Sequence, residues 1–258
     1  MTIRTRKVTI MAGEKRLSHL GAQTSRGPEC GQPSQAALYR LMTWLSPAYP
    51  VGAFSYSSGL EWAVEAGDIR DAETLRHWLE SVLANGSGYC DGVFFNQAYQ
   101  AATASDDSLL CEIAELAAVF APTRERHFET TTQGRAFMDA TQAAWPCTAL
   151  SKLCSIWEGL VAYPVAVGVA CAGHAIPRIP ALNAFLAAIT ANWVSAGVRL
   201  IPLGQTSSQR LLAALEPAIA NAAAAASAAT LDDLGAATFR ADLASARHET
   251  QYTRLFRS

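Results

Sequence analysis

Residues 159–177, GLVAYPVAVGVACAGHAIP, carry no formal charge, and this stretch limits what the chain can fold into more than any other feature. The segment that follows is similarly apolar. Such a stretch is nearly long enough to cross a bilayer, but Pro164 interrupts it and most of its residues are small. A helix that is apolar on every side is also typical of the centre of a bundle, where its neighbours bury it. We therefore expect two central bundle helices, at residues 164–174 and 181–199.

The rest of the pattern is helical as well, and no run of alternating β-branched residues bounded by turns interrupts it. Half of the residues are apolar, which is enough for a sizeable core. The pattern predicts an all-α, single-domain bundle of about ten helices. In the first helix, at 35–45, one apolar face is formed by Leu38, Leu41, Met42 and Leu45. Further helices are expected at 58–67, closed by Gly67, and behind an Asp71 cap. Others are expected at 91–104, 108–120, 123–145 and 146–157, from a Thr206 or Ser207 cap through 222–229, and at 231–245.

The first 33 residues differ from the rest in charge. They have a net charge of +4, whereas the whole chain has −2. No apolar secretory core accompanies the basic residues. We expect a disordered basic leader at 1–33, an all-α domain at 34–244 and a C-terminal partner-binding tail at 245–258.

The motifs of common enzymes and metal sites are missing from the sequence. It contains no GxxxxGK[ST] phosphate loop, no HExxH and no EF-hand loop. The six cysteines form no CxxC, and we interpret all of them as small hydrophobic residues. We therefore expect no catalytic residue, no cofactor and no tight metal site.

One charged run, RERHFE at 124–129, could look catalytic. Its spacing is more simply that of a solvated helix face with Glu and Arg four residues apart. The alternatives left open are a cofactor-free helical enzyme that uses Glu125, His127 and Glu129, and a membrane-associated helical protein.

The last fourteen residues, SARHETQYTRLFRS, combine aromatic residues with arginines at a chain end. These residue types are the most enriched at interface hot spots. We therefore expect the segment to order on a partner, burying Tyr252, Leu255 and Phe256 there, and the alternative is that it folds back on its own bundle.

Three stretches stand out in order along the chain: LSPAYPVGAFSYSSGLEWAVEAG (45–67), NWVSAGVRLIPLGQTSSQRLLAALEP (192–217) and ARHETQYTRLFRS (246–258). Together they resemble the UreF family of urease accessory proteins, and the similarity spans roughly residues 36–258. The resemblance implies a non-enzymatic, cytoplasmic, dimer-forming assembly factor. Such a factor bridges the UreD/UreH scaffold and the GTPase UreG, which together deliver nickel to urease apoprotein. Neither nucleic acid nor a membrane is expected as a partner.

The partner-binding candidates lie in the three matching stretches. In the loop at 50–62 we expect Tyr56 and Glu61 to face a partner, with a structural turn that buries Phe54 as the alternative. Near the helix break at Pro202, Arg199 is either a helix-end cation or an arginine supplied to UreG. The complete set of candidates is Arg247, His248, Glu249, Tyr252, Arg254, Leu255, Phe256, Arg257, Tyr56, Glu61, Arg199 and Gln205.

Overall fold

The computed structural model describes residues 31–258, and within them the chain forms eleven α-helices, two 3-10 turns and no strand. The all-α prediction is thereby confirmed, whereas most of the predicted leader, residues 1–30, lies outside the described residues. The helices are α1 Gln35–Trp44, α2 Leu60–Glu65, α3 Ala72–Asn85, α4 Ser87–Ala104, α5 Asp107–Val119, α6 Arg124–Ala144, α7 Thr148–Ile156, α8 Tyr163–Gly173, α9 Arg178–Leu200, α10 Gln205–Ala228 and α11 Phe239–His248.

The uncharged stretch forms the centre of the bundle. Every residue of α8 from Tyr163 to Cys171 is buried, and α4, α6, α7 and α9 pack around this helix. Two other helices of the described part, α9 and α10, are long and apolar enough to cross a bilayer by length and composition. Helices in the core of a bundle have the same properties, and both α9 and α10 pack against other helices here.

Two glycines allow very close approaches, one between α6 and the chain that leads into α8 and one between α8 and α4. A Cβ at Gly134 of α6 would lie 2.0 Å from the Val161 carbonyl oxygen, and one at Gly168 of α8 would lie 2.5 Å from the Phe95 carbonyl oxygen. No side chain fits at either position because the obstacle is backbone. Gly134 is therefore needed for packing, although it lowers the helix propensity of α6.

The apolar face predicted for the first helix is partly wrong. Leu41 is buried as predicted, but Leu38 and Met42 are exposed, and α1 buries Ala37 and Trp44 in their place. Trp44 determines this orientation because its ring packs against the rings of Phe137, Trp145 and His174.

Several predicted helix ends shift. The cap at Asp71 is confirmed, with a reciprocal capping box that includes Thr74. The helix expected from Asp91 begins at Ser87, and Gly204 precedes α10 without any side-chain cap from Thr206 or Ser207. The helix expected at 231–245 is a 3-10 turn followed by α11, because a Thr230–Asp233 capping box closes the turn first.

Candidate functional site

The C-terminal segment runs back across its own bundle. The Arg257 amide donates to the Ser55 carbonyl at 2.8 Å, while the amide and hydroxyl of Ser57 donate to the Ser258 carbonyl at 2.5 and 2.6 Å. Gln251, Phe256 and Ser258 are buried. Of the two alternatives for this segment, the structure has the fold-back arrangement.

Glu61 organises the middle of the segment. Its carboxylate accepts the amides of Leu255 at 2.6 Å and Phe256 at 2.9 Å, and it also lies 3.1 Å from Nε2 of His248. The expectation that Tyr56 and Glu61 face a partner is wrong, because they are only 2 % and 8 % exposed.

The local backbone explains why Glu61 points inward. Gly59, with φ +83°, precedes α2, and a Cβ there would lie 2.7 Å from the backbone nitrogen of Ser245 in α11. Only glycine adopts this conformation without strain, and its missing side chain lets α2 begin directly against α11. Gly59 stands at the cap of α2, and Ser57 Oγ accepts a long bond, 3.4 Å, from the Glu61 amide.

His248 links α11 to two other helices. Its side chain is fully buried, and besides Glu61 it contacts Glu125 of α6, with Nδ1 2.6 Å from the carboxylate. The other oxygen of Glu125 accepts from Arg254 at 2.9 Å. Glu249 closes the same junction by accepting the backbone amide of Arg124 at the start of α6.

A second polar group lies under the end of the segment. Arg126 donates to Glu129 at 2.7 Å and to Ser58 at 2.8 Å, and the Ser258 hydroxyl donates to Glu129 at 2.9 Å. The interpretation of residues 124–129 as a solvated face is therefore wrong, since Arg126 and Glu129 are buried. The turn at 52–59 and the C-terminal segment cover this side of α6.

Asp91 of α4 borders this second group. Burial raises the pKa of its carboxyl to about 6, although Arg126 lies 3.7 Å away and acts to lower it. The side chains of Asp91, Arg126 and Glu129 also line a cavity of about 140 Å³ beside α9. No group of three or more potential ligands for a metal ion occurs within residues 31–258.

The structure does not combine Glu125, His127 and Glu129 into one catalytic group. Glu125 is bound to His248 and Arg254, whereas Glu129 is bound to Arg126 and Ser258. The two carboxylates thus belong to different hydrogen-bonded groups.

Arg199 holds the segment from the other side. In the last turn of α9 it donates to the Phe54 carbonyl at 2.8 Å, and its guanidinium lies 4.2 Å from the centre of the Phe256 ring. The hydrogen bond joins the turn to α9, and the cation–π contact joins the segment to α9. Phe54 itself is 66 % exposed, so the turn does not bury it as the structural alternative assumed.

The remaining candidates lie at the surface. Tyr252 is fully exposed and Leu255 is 65 % exposed. We use the name tail surface for the exposed side chains of this end of the chain: Arg247, Tyr252, Arg254, Leu255 and Arg257. Gln205, also exposed, is the first residue of α10. Partner binding by these side chains stays a prediction.

The cysteines only partly match their interpretation as small hydrophobic residues. Cys90 and Cys171 are buried, whereas Cys154 is exposed at the end of α7. Burial raises the pKa of the Cys90 thiol to about 11 and also raises that of Cys171, so neither is a reactive thiolate.

Comparison with known proteins gives a consistent family. The family model named UreF matches residues 69–216, which is more than half of the chain. A urease accessory protein UreF from Rhodopseudomonas palustris strain BisA53 is 63 % identical over 86 % of this chain and 94 % of its own length. Another from Bradyrhizobium diazoefficiens is 62 % identical over 86 % of this chain and 92 % of its own length. The chain therefore belongs to the UreF family of urease accessory proteins, and as such it is an accessory protein and not an enzyme.

Proposed function

We propose that this chain takes part in maturation of the nickel centre of urease by bridging the UreD/UreH scaffold and the GTPase UreG. In this role nickel is cargo of the complex, and the chain itself supplies binding surfaces. The proposal includes a cytoplasmic complex, a homodimer of this chain and urease apoprotein as the final partner.

The tail surface carries the proposal that this end of the chain contacts UreD/UreH. Tyr252 and Leu255 stand exposed on a segment whose neighbours Phe256 and Ser258 are buried. An aromatic and an aliphatic side chain held outward on a fixed backbone, with three arginines around them, have the composition of an interface hot spot. The buried residues Glu61 and His248, and Arg199 through its contact with Phe256, then act by positioning this surface.

Co-purification tests the proposal with variants that remove exposed side chains of the tail surface and leave the buried residues of the segment in place. A tagged chain with Tyr252→Ala and Leu255→Ala is co-expressed with UreD/UreH from the same organism, and the complex is measured by size exclusion. The matched control is Phe239→Ala with Leu243→Ala, because both residues are exposed apolar side chains of α11. These pairs are more informative than a truncation at Ala244, which would also remove the buried His248.

We expect the Tyr252/Leu255 variant to elute folded and without UreD/UreH, and the control to retain it. Adding UreG to each complex then asks whether the same surface also serves the GTPase. Full retention of UreD/UreH by the Tyr252/Leu255 variant would place the contact elsewhere on the chain.

Light scattering of the purified chain tests the homodimer. A monomer mass across the micromolar range would contradict that part of the proposal.

A further inference from the structure

The fully buried His248 has a carboxylate at each of its two ring nitrogens. Nδ1 lies 2.6 Å from Glu125 and Nε2 lies 3.1 Å from Glu61. An ionised carboxylate only accepts hydrogen bonds, and a neutral imidazole has only one N–H to donate. The two contacts therefore need two protons among the ring and the two carboxylates. A neutral ring between two ionised carboxylates has only one.

This extra proton is coupled to the position of the C-terminal segment. Glu61 is also the acceptor for the amides of Leu255 and Phe256, and Glu125 is the acceptor for Arg254. Each carboxylate thus joins the ring on one side to residues 254–256 on the other. If the ring loses its second proton, a nitrogen lone pair faces a carboxylate oxygen without water to separate them, and this repulsion acts on the groups that hold the segment.

The other charged groups around the ring are already paired or lie at the surface. The two carboxylates face two cations, His248 and Arg254, so the junction is electrically balanced only when the ring is charged. Four elements bring charged or titratable groups towards the His248 ring. These groups are Glu61 and Glu65 of α2, Arg124 and Glu125 of α6, Asp242 and Arg247 of α11, and Glu249 and Arg254 of the segment that follows α11.

We propose that His248 is a proton-dependent latch, whose charged ring holds residues 249–258 on the bundle and whose deprotonation frees them. The latched arrangement binds one more proton than the released one, so release increases as pH rises. This inference rests on the proposed function, because it gives that function a means of regulation: the chain presents a fixed tail surface at lower pH and a free segment at higher pH.

Amide hydrogen exchange on the full chain without any partner tests the latch. The readout is the protection of the Leu255 and Phe256 amides at about pH 6 and about pH 8.5, corrected for the intrinsic pH dependence of exchange, with the imidazole ¹⁵N signals of His248 recorded in the same samples. If one proton leaves His248 when the segment is released, the protection factor of the two amides falls by up to about tenfold per pH unit. This limit applies at pH values where the ring of the released state is neutral.

Three variants separate the latch from a general structural effect. Glu125→Gln can donate its amide to a neutral ring and still accept from Arg254, so we expect protection that no longer depends on pH. His248→Gln loses the charge and should leave the two amides poorly protected at both pH values. His127→Gln, the matched control on α6, should behave like the wild type because His127 lies outside both polar groups.

Equal protection of the two amides at both pH values in the wild type would overturn the latch, and so would a neutral His248 ring at pH 6 with the segment still protected. Failure of the latch is distinguishable from failure of the proposed function. The exchange measurement involves no partner, whereas the Tyr252/Leu255 variant tests partner binding at one fixed pH.

Discussion

Replacing Phe256 with alanine tests whether the C-terminal segment is anchored by its own bundle. The Phe256 side chain is 4 % exposed, and the guanidinium of Arg199 covers its ring at 4.2 Å. Burying a phenylalanine contributes about 1.5–3 kcal/mol, and a partly desolvated cation–π contact adds roughly 0.5–1 kcal/mol. Phe256→Ala is therefore expected to weaken the docking of the segment by about 2–4 kcal/mol.

We expect the segment to detach while the bundle stays folded. A measurement of global unfolding therefore shows only part of the lost docking free energy. The global free energy of unfolding should fall only by as much as docking of the segment contributes to it. Protease sensitivity near residues 249–258, in contrast, should rise by the full change in local opening, because proteolysis follows the population of the open form. We expect rapid cleavage within the segment, detected by mass spectrometry, and a smaller decrease in the urea midpoint.

Tyr252→Ala is the matched control, because it removes an aromatic side chain of the same segment that is fully exposed. It should change neither the urea midpoint nor the rate of cleavage. Equal protease resistance of Phe256→Ala and Tyr252→Ala would refute the reasoning, since it would mean that Phe256 does not hold the segment.

Three further predictions follow from particular contacts. Gly134→Ala should lower the thermal midpoint in a melting experiment, because a Cβ placed 2.0 Å from the Val161 carbonyl oxygen outweighs a gain of about 1 kcal/mol in helix propensity. For Asp91, whose pKa burial raises to about 6 from 3.8, the folded state binds the proton more tightly than the unfolded state does, so ionisation costs stability as pH rises through this window. The urea midpoint of Asp91→Asn relative to the wild type should therefore increase from pH 4 to pH 7, and a constant difference would contradict this. Maleimide should label the exposed Cys154 in the native protein and leave the buried Cys171 unmodified until denaturant is added, as mass spectrometry of the peptides would show.

The parts of the fold that depend on local sequence were predictable. An uncharged stretch of helical length has to be buried by neighbouring helices, and α8 is. Asp71 followed three residues later by Thr74 forms a cap within one turn, so no distant residue is needed to find it. The family resemblance was equally visible because its motifs are contiguous in sequence.

The candidate site was less predictable because its contacts join residues that are far apart in the chain. Glu61 and Leu255 are separated by 194 positions, and Ser57 and Ser258 by 201. The run at 124–129 has the spacing of a solvated face, but Arg126 and Glu129 are buried beneath the turn, the C-terminal segment and neighbouring helices. The i, i+3 spacing of Arg126 and Glu129 was a signal for their ion pair, but no pattern in α6 indicates which part of the chain lies above it.

The kind of contact that holds the C-terminal segment is consistent with a segment that is meant to be released. Of its three large apolar side chains, only Phe256 is buried, and the segment depends in addition on hydrogen bonds to four glutamates, Glu61, Glu65, Glu125 and Glu129. A segment fixed permanently would gain more from apolar burial, which does not depend on charge and needs no exact geometry. Hydrogen bonds to carboxylates are strong when complete, but their net contribution disappears when one proton or one partner is lost. The segment therefore remains ordered while every donor is in place, and a single change of charge at the junction is enough to shift the balance towards release.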